Sequence, residues 1–162
     1  MIRPGVGYIR IGNFGATTYK EFMEGVERLQ AQGMSSLILD LEDNGGGYLQ
    51  SAVKIANEFL QKGDLIVYTD GRERNEFRAR GNGRFLKGQV IVLVDGYTAS
   101  AAEIVTGAIQ DQDRGVVIGR RTFGKGLVQR QITLPDTSMI RLTIAHYYTP
   151  AGRCIQKPYE KG

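Results

Sequence analysis

Two side chains with the makings of a reaction stand within one stretch of this chain. Ser100 lies in Val94-Asp95-Gly96-Tyr97-Thr98-Ala99-Ser100-Ala101-Ala102-Glu103-Ile104, and Lys125 lies between Gly124 and Gly126 in the run from Gly119 to Gln129. The apolar residues Val90 to Val94 predict a buried strand, Asp95 to Ser100 a small-residue turn, and Ala101 to Ile109 a helix. Ser100 therefore falls on a sharp strand-to-helix turn. There its hydroxyl sits beside the unpaired N–H groups and positive dipole end of a helix, which can stabilise a developing oxyanion. A serine that begins a helix is nonetheless most often only a cap.

A lysine can take the proton of such a serine only when uncharged, against an ordinary pKa of about 10.4. Burial is the means of lowering that value. Gly124 and Gly126 would let Lys125 enter a pocket, and Gln129 on the following strand could accept its hydrogen bond. On residue type alone, a lysine in a glycine loop is more often an exposed turn residue. Two rival chemistries fail on these residues. Gly119 to Lys125 fits the opening of a phosphate-binding loop, but Gly126 stands where the magnesium-binding hydroxyl belongs, and strand alternation follows where a helix is required. The single histidine, His146, alternates with Ala145 and Tyr147 on a predicted strand, and no carboxylate is placed to complete a triad.

The elements that must carry this pair alternate between strand and helix. Val6 to Ile11 predicts a first strand; a helix capped by Thr17 or Thr18, with Phe22, Val26 and Leu29 facing the core, ends near Gly33. Ser36 to Leu41 predicts a parallel strand covered on both faces. Glu42-Asp43-Asn44-Gly45-Gly46-Gly47 and a helix from Leu49 follow it, forming a backbone cradle suited to a phosphate or an oxyanion. After a strand at Leu65 to Tyr68, the arginine-rich and glycine-rich Thr69 to Lys87 reads as a mobile surface hairpin or loop anchored by Phe77 and Phe85. A lid over a substrate groove is its less common reading. Gly115 to Gly119 and Leu127 to Leu134 are strands, and Pro135 to Ser138 turns the latter into Met139 to Tyr148, whose Ile140, Leu142 and Ile144 share one face. Glu103 reads as ordinary dipole compensation in a first helical turn, and Asp111 as an exposed charge at a helix end. The pattern is α/β, with parallel central strands and a C-terminal antiparallel hairpin.

Composition narrows the function classes. The chain has 162 residues, 41% hydrophobic and 23% charged, enough for one domain over residues 1–162 with its own core. A net charge of +4 without interleaved aromatics argues against a nucleic-acid module. Cys154 is the sole cysteine, so there is no intrachain disulfide, and no metal-ligand spacing is present. The N-terminus lacks the pattern of an export signal, and no apolar run approaches the roughly 20 residues of a membrane span.

The turn, the lysine loop and their flanks resemble the C-terminal processing peptidases, or tail-specific proteases. The matching residues are Thr98-Ala99-Ser100-Ala101-Ala102-Glu103-Ile104, Thr122-Phe123-Gly124-Lys125-Gly126 with Gln129, the loop Asp40 to Gly47, and Leu142 to Arg153. That resemblance implies a ClpP/crotonase-like spiral core and a serine-type endopeptidase acting near polypeptide C-termini. Ser100 would be the nucleophile, Lys125 the general base and Gln129 the residue that orients it. The N–H groups of Ala101 and Gly46, with Gly47 next, would form the oxyanion hole. It implies a polypeptide substrate, no cofactor and no metal, with neither nucleic-acid nor membrane contact by this stretch, and leaves a homo-oligomer open. A periplasmic or cell-envelope setting is implied for a full-length protein, whose export signal and PDZ domain would lie outside an excised core. The sequence departs from the family at Glu42, which replaces an arginine, at Ala102 and at Ala151. A weak or inactive protease-like domain that holds peptides is the alternative reading.

Overall fold

The structure, a computed structural model, describes residues 1–158. Four strands, β1 (Val6–Arg10), β2 (Ser36–Asp40), β5 (Gln89–Val94) and β6 (Val116–Gly119), form a parallel sheet in the order β1-β2-β5-β6. Parallel neighbours need a crossover, and the helices supply it: α1 (Thr18–Ala31) joins β1 to β2, and α3 (Ala101–Asp111) joins β5 to β6. The link from β2 to β5 is longer. It carries α2 (Leu49–Asn57) and the antiparallel pair β3 (Leu65–Gly71) and β4 (Asn75–Arg78). β3 and β4 join β7 (Leu127–Thr133) and β8 (Met139–Tyr148) in a second, wholly antiparallel sheet ordered β4-β3-β8-β7.

The core lies between the first sheet and the helices. Leu37 and Leu39 of β2 and Val90, Val92 and Val94 of β5 are buried, as the near-continuous apolar runs predict. Phe22, Val26 and Leu29 form the buried face of α1, and Gly33, in the left-handed region at φ 85°, follows its end. Helix α3 is buried at every residue from Ala101 to Ile109 and packs on α2, β3 and β6. A helix apolar all round belongs in a core. The turn that carries Ser100 is thereby mounted on a buried helix.

Two expectations are revised. The segment Thr69 to Lys87 is a hairpin only in its first part, where β3 extends to Gly71; the remainder is tied down. Arg80 N–H donates to Asn57 Oδ1, Phe85 N–H donates to the Glu58 carbonyl, and the buried Phe85 ring packs edge-on against Phe59. Asp111 is not an exposed helix-end charge. Its side chain is 5% exposed, pairs with Arg153 and accepts the Ala151 N–H at 3.0 Å. The carboxylate thus anchors the turn after β8 to α3. Burial pushes its pKa up, but hydrogen bonds from Thr149, Ala151 and Arg153, with the Arg153 charge, outweigh it and hold the carboxyl below its ordinary value. A lowered folded-state pKa contributes stability above the unfolded value, lost as pH falls through the folded one. Asp111→Asn is accordingly expected to cost about 1–2 kcal/mol at pH 7. The gap to the parent should close in urea titrations as pH falls below about 4.

Sequence periodicity also placed Ile140, Leu142 and Ile144 on one face of β8. They do share that face, but it looks away from the core, and their exposures are 41%, 47% and 46%. Alternation identifies a face, not what covers it.

Candidate active site

Ser100 is the N-cap of α3, with φ 55° and ψ −117°. A positive φ at a residue bearing a Cβ is strained, and such strain is characteristic of functional turns. The neighbours that hold it there are specific. Asp95 accepts the N–H groups of Tyr97 and Thr98 at 2.9 Å each, and the buried Thr98 hydroxyl donates to the Leu41 carbonyl at 2.8 Å. Below the turn, Ala99 N–H donates to the Asn44 carbonyl at 2.8 Å.

Asn44, fully buried, staples the glycine loop. Its Nδ2 donates to the Ile11 carbonyl at 2.6 Å, and its Oδ1 accepts the Gly46 N–H at 2.8 Å. The Asp95 carboxylate reaches the same loop through the Asp43 N–H at 3.1 Å. Burial pushes the Asp95 pKa up, but hydrogen bonds from Tyr97, Asp43 and Thr98 hold it below the ordinary value, so it stays ionised. These contacts bind the ends of β2 and β5 into one unit. Glu42 is exposed; its N–H donates to Asp40 Oδ1 at 2.9 Å and its carbonyl accepts from Arg10. The reversed charge points to solvent and leaves the loop's fastenings intact.

Gly46 is pressed against the serine. A Cβ there would lie 2.7 Å from both the Ala99 carbonyl oxygen and Ser100 Cβ, and 2.9 Å from the Ala101 nitrogen, at φ +97°. The Ala101 N–H has no acceptor among the described residues, as expected for an opening helical position. The Gly46 N–H is engaged by Asn44, whereas the Gly47 N–H has no acceptor among the described residues. Gly46→Ala is expected to lose about 2 kcal/mol of stability. A thermal melt beside the parent would check this.

The lysine loop is brought to this turn by a side chain whose place in a first helical turn suggests only dipole compensation. Glu103, buried in the first turn of α3, accepts the Ser100 N–H at 2.9 Å on Oε2 and the Lys125 N–H at 2.9 Å on the same oxygen. Its Oε1 accepts the Thr122 hydroxyl and the Gly124 N–H, each at 2.7 Å. The signal was legible as Ser-x-x-Glu at a helix start, the spacing of a capping box. Phe123 N–H completes the link by donating to the Thr98 carbonyl at 3.0 Å.

The side chains of the lysine loop are less engaged than its backbone. Lys125 and Gln129 are exposed, and among the described residues the Lys125 amine makes no hydrogen bond to Ser100 or to Gln129. The expected burial of the amine is absent in this conformation. Gly124 and Gly126 have a different task from freeing Lys125: a Cβ on them would lie 2.7 Å from Lys157 Cβ and 2.4 Å from the Gln156 nitrogen. Gln129 faces Thr143 across the hairpin, beside a bulge at Val128. His146 pairs with Asp70 and Leu127 in the second sheet.

A parallel sheet crossed by helices, an antiparallel second sheet, and a serine on a strained turn tied to a lysine loop define a ClpP/crotonase-like α/β protein. Comparison with known proteins gives the family. The model of peptidase family S41 matches residues 5–160, and the chain belongs to that family. It is 42% identical over 158 residues to a carboxyl-terminal-processing protease of Synechocystis sp., covering 96% of this chain and 37% of that protein. With the chloroplastic C-terminal processing peptidase of Tetradesmus obliquus it shares 39% identity over 153 residues, covering 94% of this chain and 33% of the relative. The solved photosystem II D1 C-terminal processing protease superimposes with a TM-score of 0.88 at 37% identity, over 93% of this chain and 39% of that one. The chain therefore spans about a third of the length of these relatives.

Proposed function

We propose that this chain is the protease core of a serine endopeptidase that cleaves polypeptides near their C-termini. Ser100 attacks the scissile carbonyl, Lys125 takes its proton, Gln129 orients the amine, and the N–H groups of Ala101 and Gly46 hold the oxyanion. The observation that carries this reading is the buried Glu103 carboxylate, which accepts from the backbones of Ser100 and Lys125 alike. One residue thus sets the separation of the two backbones that the chemistry needs close together.

Proton transfer in this reading requires the Lys125 side chain to swing from solvent onto Ser100. The Gly46 N–H must likewise turn from Asn44 Oδ1 to the oxyanion. Bound substrate would shield the amine from water. Lys125→Ala should then reduce kcat/KM on an unfolded polypeptide by on the order of 10³-fold, and Lys125→Arg should not restore it, because arginine stays protonated. No helix among the described residues is long and apolar enough to cross a membrane. By resemblance to processing proteases, a full-length protein is proposed to act in the periplasm or cell envelope.

The exposed Lys125 amine favours a second reading, a protease-like domain that holds peptides without turning them over. Incubation with an unfolded polypeptide beside a Ser100→Ala control separates the two: serine-dependent cleavage supports the peptidase, and binding without cleavage supports the holding domain.

A further inference from the structure

Where α2 begins, just past the glycine loop, lies a cavity of about 240 Å³ lined by Gly15, Tyr19, Tyr48, Gln50, Ser51 and Lys54 among others. Its frame is fixed. Phe14 N–H donates to the Gly46 carbonyl at 2.9 Å, Tyr48 N–H donates to the Phe14 carbonyl at 2.7 Å, and Gly15 N–H donates to the Thr18 hydroxyl at 2.9 Å. At roughly 30 Å³ of liquid volume for each water, the space suits a small ion with a few waters and is too small for a drug-sized ligand.

The groups around it are donors. Helix α2 has no acidic residue in its first turn, and its N-cap, Tyr48, makes no side-chain capping bond. The N–H groups of Leu49 and Gln50, which open the helix, have no acceptor among the described residues. Ser51 follows them, 7% exposed, and its hydroxyl is the one buried side-chain polar atom without a hydrogen-bond partner among the described residues. A hydroxyl buried in that way is unfavourable, and an acceptor entering the cavity would satisfy it. The Lys54 ammonium is held at the same wall by the Tyr19 ring, whose centroid is 5.7 Å away. Among the described residues, no Asp or Glu lines the cavity. Glu58, just beyond the end of α2, accepts instead from the Tyr19 hydroxyl and the Arg84 N–H, each at 2.8 Å.

Backbone N–H groups at the positive end of a helix, a hydroxyl and an ammonium in one small cavity match an anion with several acceptor oxygens. We propose that the start of α2 is a binding site for a phosphate-type oxyanion, held by the Leu49 and Gln50 N–H groups, the Ser51 hydroxyl and the Lys54 ammonium. A tetrahedral oxyanion can offer an oxygen to each of these donors, whereas a carboxylate has only two oxygens to share among them. Free inorganic phosphate and a phosphomonoester present the same chemistry. Neither Ser100 nor Lys125 lines the cavity, so the site does not rest on the peptidase reading.

The test follows backbone amide chemical shifts of the isotope-labelled protein at about pH 7, with ionic strength held constant by sodium chloride. Inorganic phosphate, acetate and N-acetyl-phosphoserine amide are titrated separately. Phosphate is expected to shift the Leu49 and Gln50 amides saturably, with a Kd of about 1 mM. Ser51→Ala should weaken binding about fivefold and Lys54→Glu about tenfold or more, whereas Lys54→Arg should stay within about twofold of the parent. Without ligand, the melting temperature of Ser51→Ala should equal or exceed that of the parent, because no hydrogen bond is lost; phosphate should then raise it by less. Equal affinity for phosphate and the phosphoserine derivative identifies the oxyanion alone as the recognised group. Tighter binding of the ester identifies a phosphorylated side chain as the occupant, and weaker binding identifies the free ion; all three support the site. Acetate binding as tightly as phosphate, shifts at Leu49 and Gln50 that do not saturate, or affinity unchanged in both Ser51→Ala and Lys54→Glu overturns it.

Discussion

Ser100→Ala is expected to reduce cleavage of an unfolded polypeptide by on the order of 10⁴-fold or more, because the attacking group is removed and only binding and the oxyanion donors remain. The fold should survive, since Ala99, Ala101 and Ala102 already make this turn of small buried residues. The backbone strain should survive too: alanine at φ 55° carries the same Cβ. Ser100→Gly separates these effects. It removes the nucleophile as completely, yet should raise stability by about 1 kcal/mol, because glycine occupies positive φ without penalty. Urea denaturation of the three proteins, with cleavage followed by gel and mass spectrometry, measures both quantities. Residual activity within tenfold of the parent in either variant would remove Ser100 from the mechanism; a glycine variant no more stable than the alanine one would remove strain from its description.

Replacing Glu103 should affect stability and turnover together. Its carboxylate accepts four donors, two on each oxygen, in a buried position. Glu103→Ala strands those donors and is expected to cost about 3 kcal/mol or more. Glu103→Gln is the sharper test because it keeps the shape. Its amide nitrogen is a donor, so one pair of contacts, either the Ser100 and Lys125 N–H groups or the Thr122 hydroxyl and Gly124 N–H, meets a donor in place of an acceptor. The lysine loop should shift relative to the serine, and kcat should fall about 100-fold with little change in KM. Titration with a fluorophosphonate counts the competent serines. A purely structural role would lower the melting temperature and the labelled fraction, leaving kcat per labelled site untouched. A positioning role lowers kcat per labelled site, and that outcome is expected.

Much of this site was legible from local rules. Val90, Val92 and Val94 are buried and Ile91 and Leu93 half-buried, as a short β-branched apolar run bounded by turn residues reads as a covered strand, and Ala101–Ile109 is helical because small apolar residues after a serine cap propagate a helix. The close approach required at Gly46 follows from the glycine loop after β2, and the C-terminal hairpin from Pro135 to Ser138 between alternating runs. Glu103 was half legible. The capping-box spacing predicts its contact with the Ser100 N–H, but contacts with Thr122, Gly124 and Lys125 arise only when the lysine loop folds back over the start of α3.

What the chain alone determined, then, is the set of groups able to react and the strand, turn and helix that carry the serine, because those depend on residues within a few positions of one another. Tertiary structure decided the rest. It buried Asp111 against Arg153, turned the apolar face of Ile140, Leu142 and Ile144 outward, joined Glu103 to the lysine loop and left the Lys125 side chain in solvent. Each of these depends on which segment comes to lie beside another. Burial and hydrogen-bond partners are properties of neighbours in space, and here those neighbours come from loops far apart along the chain.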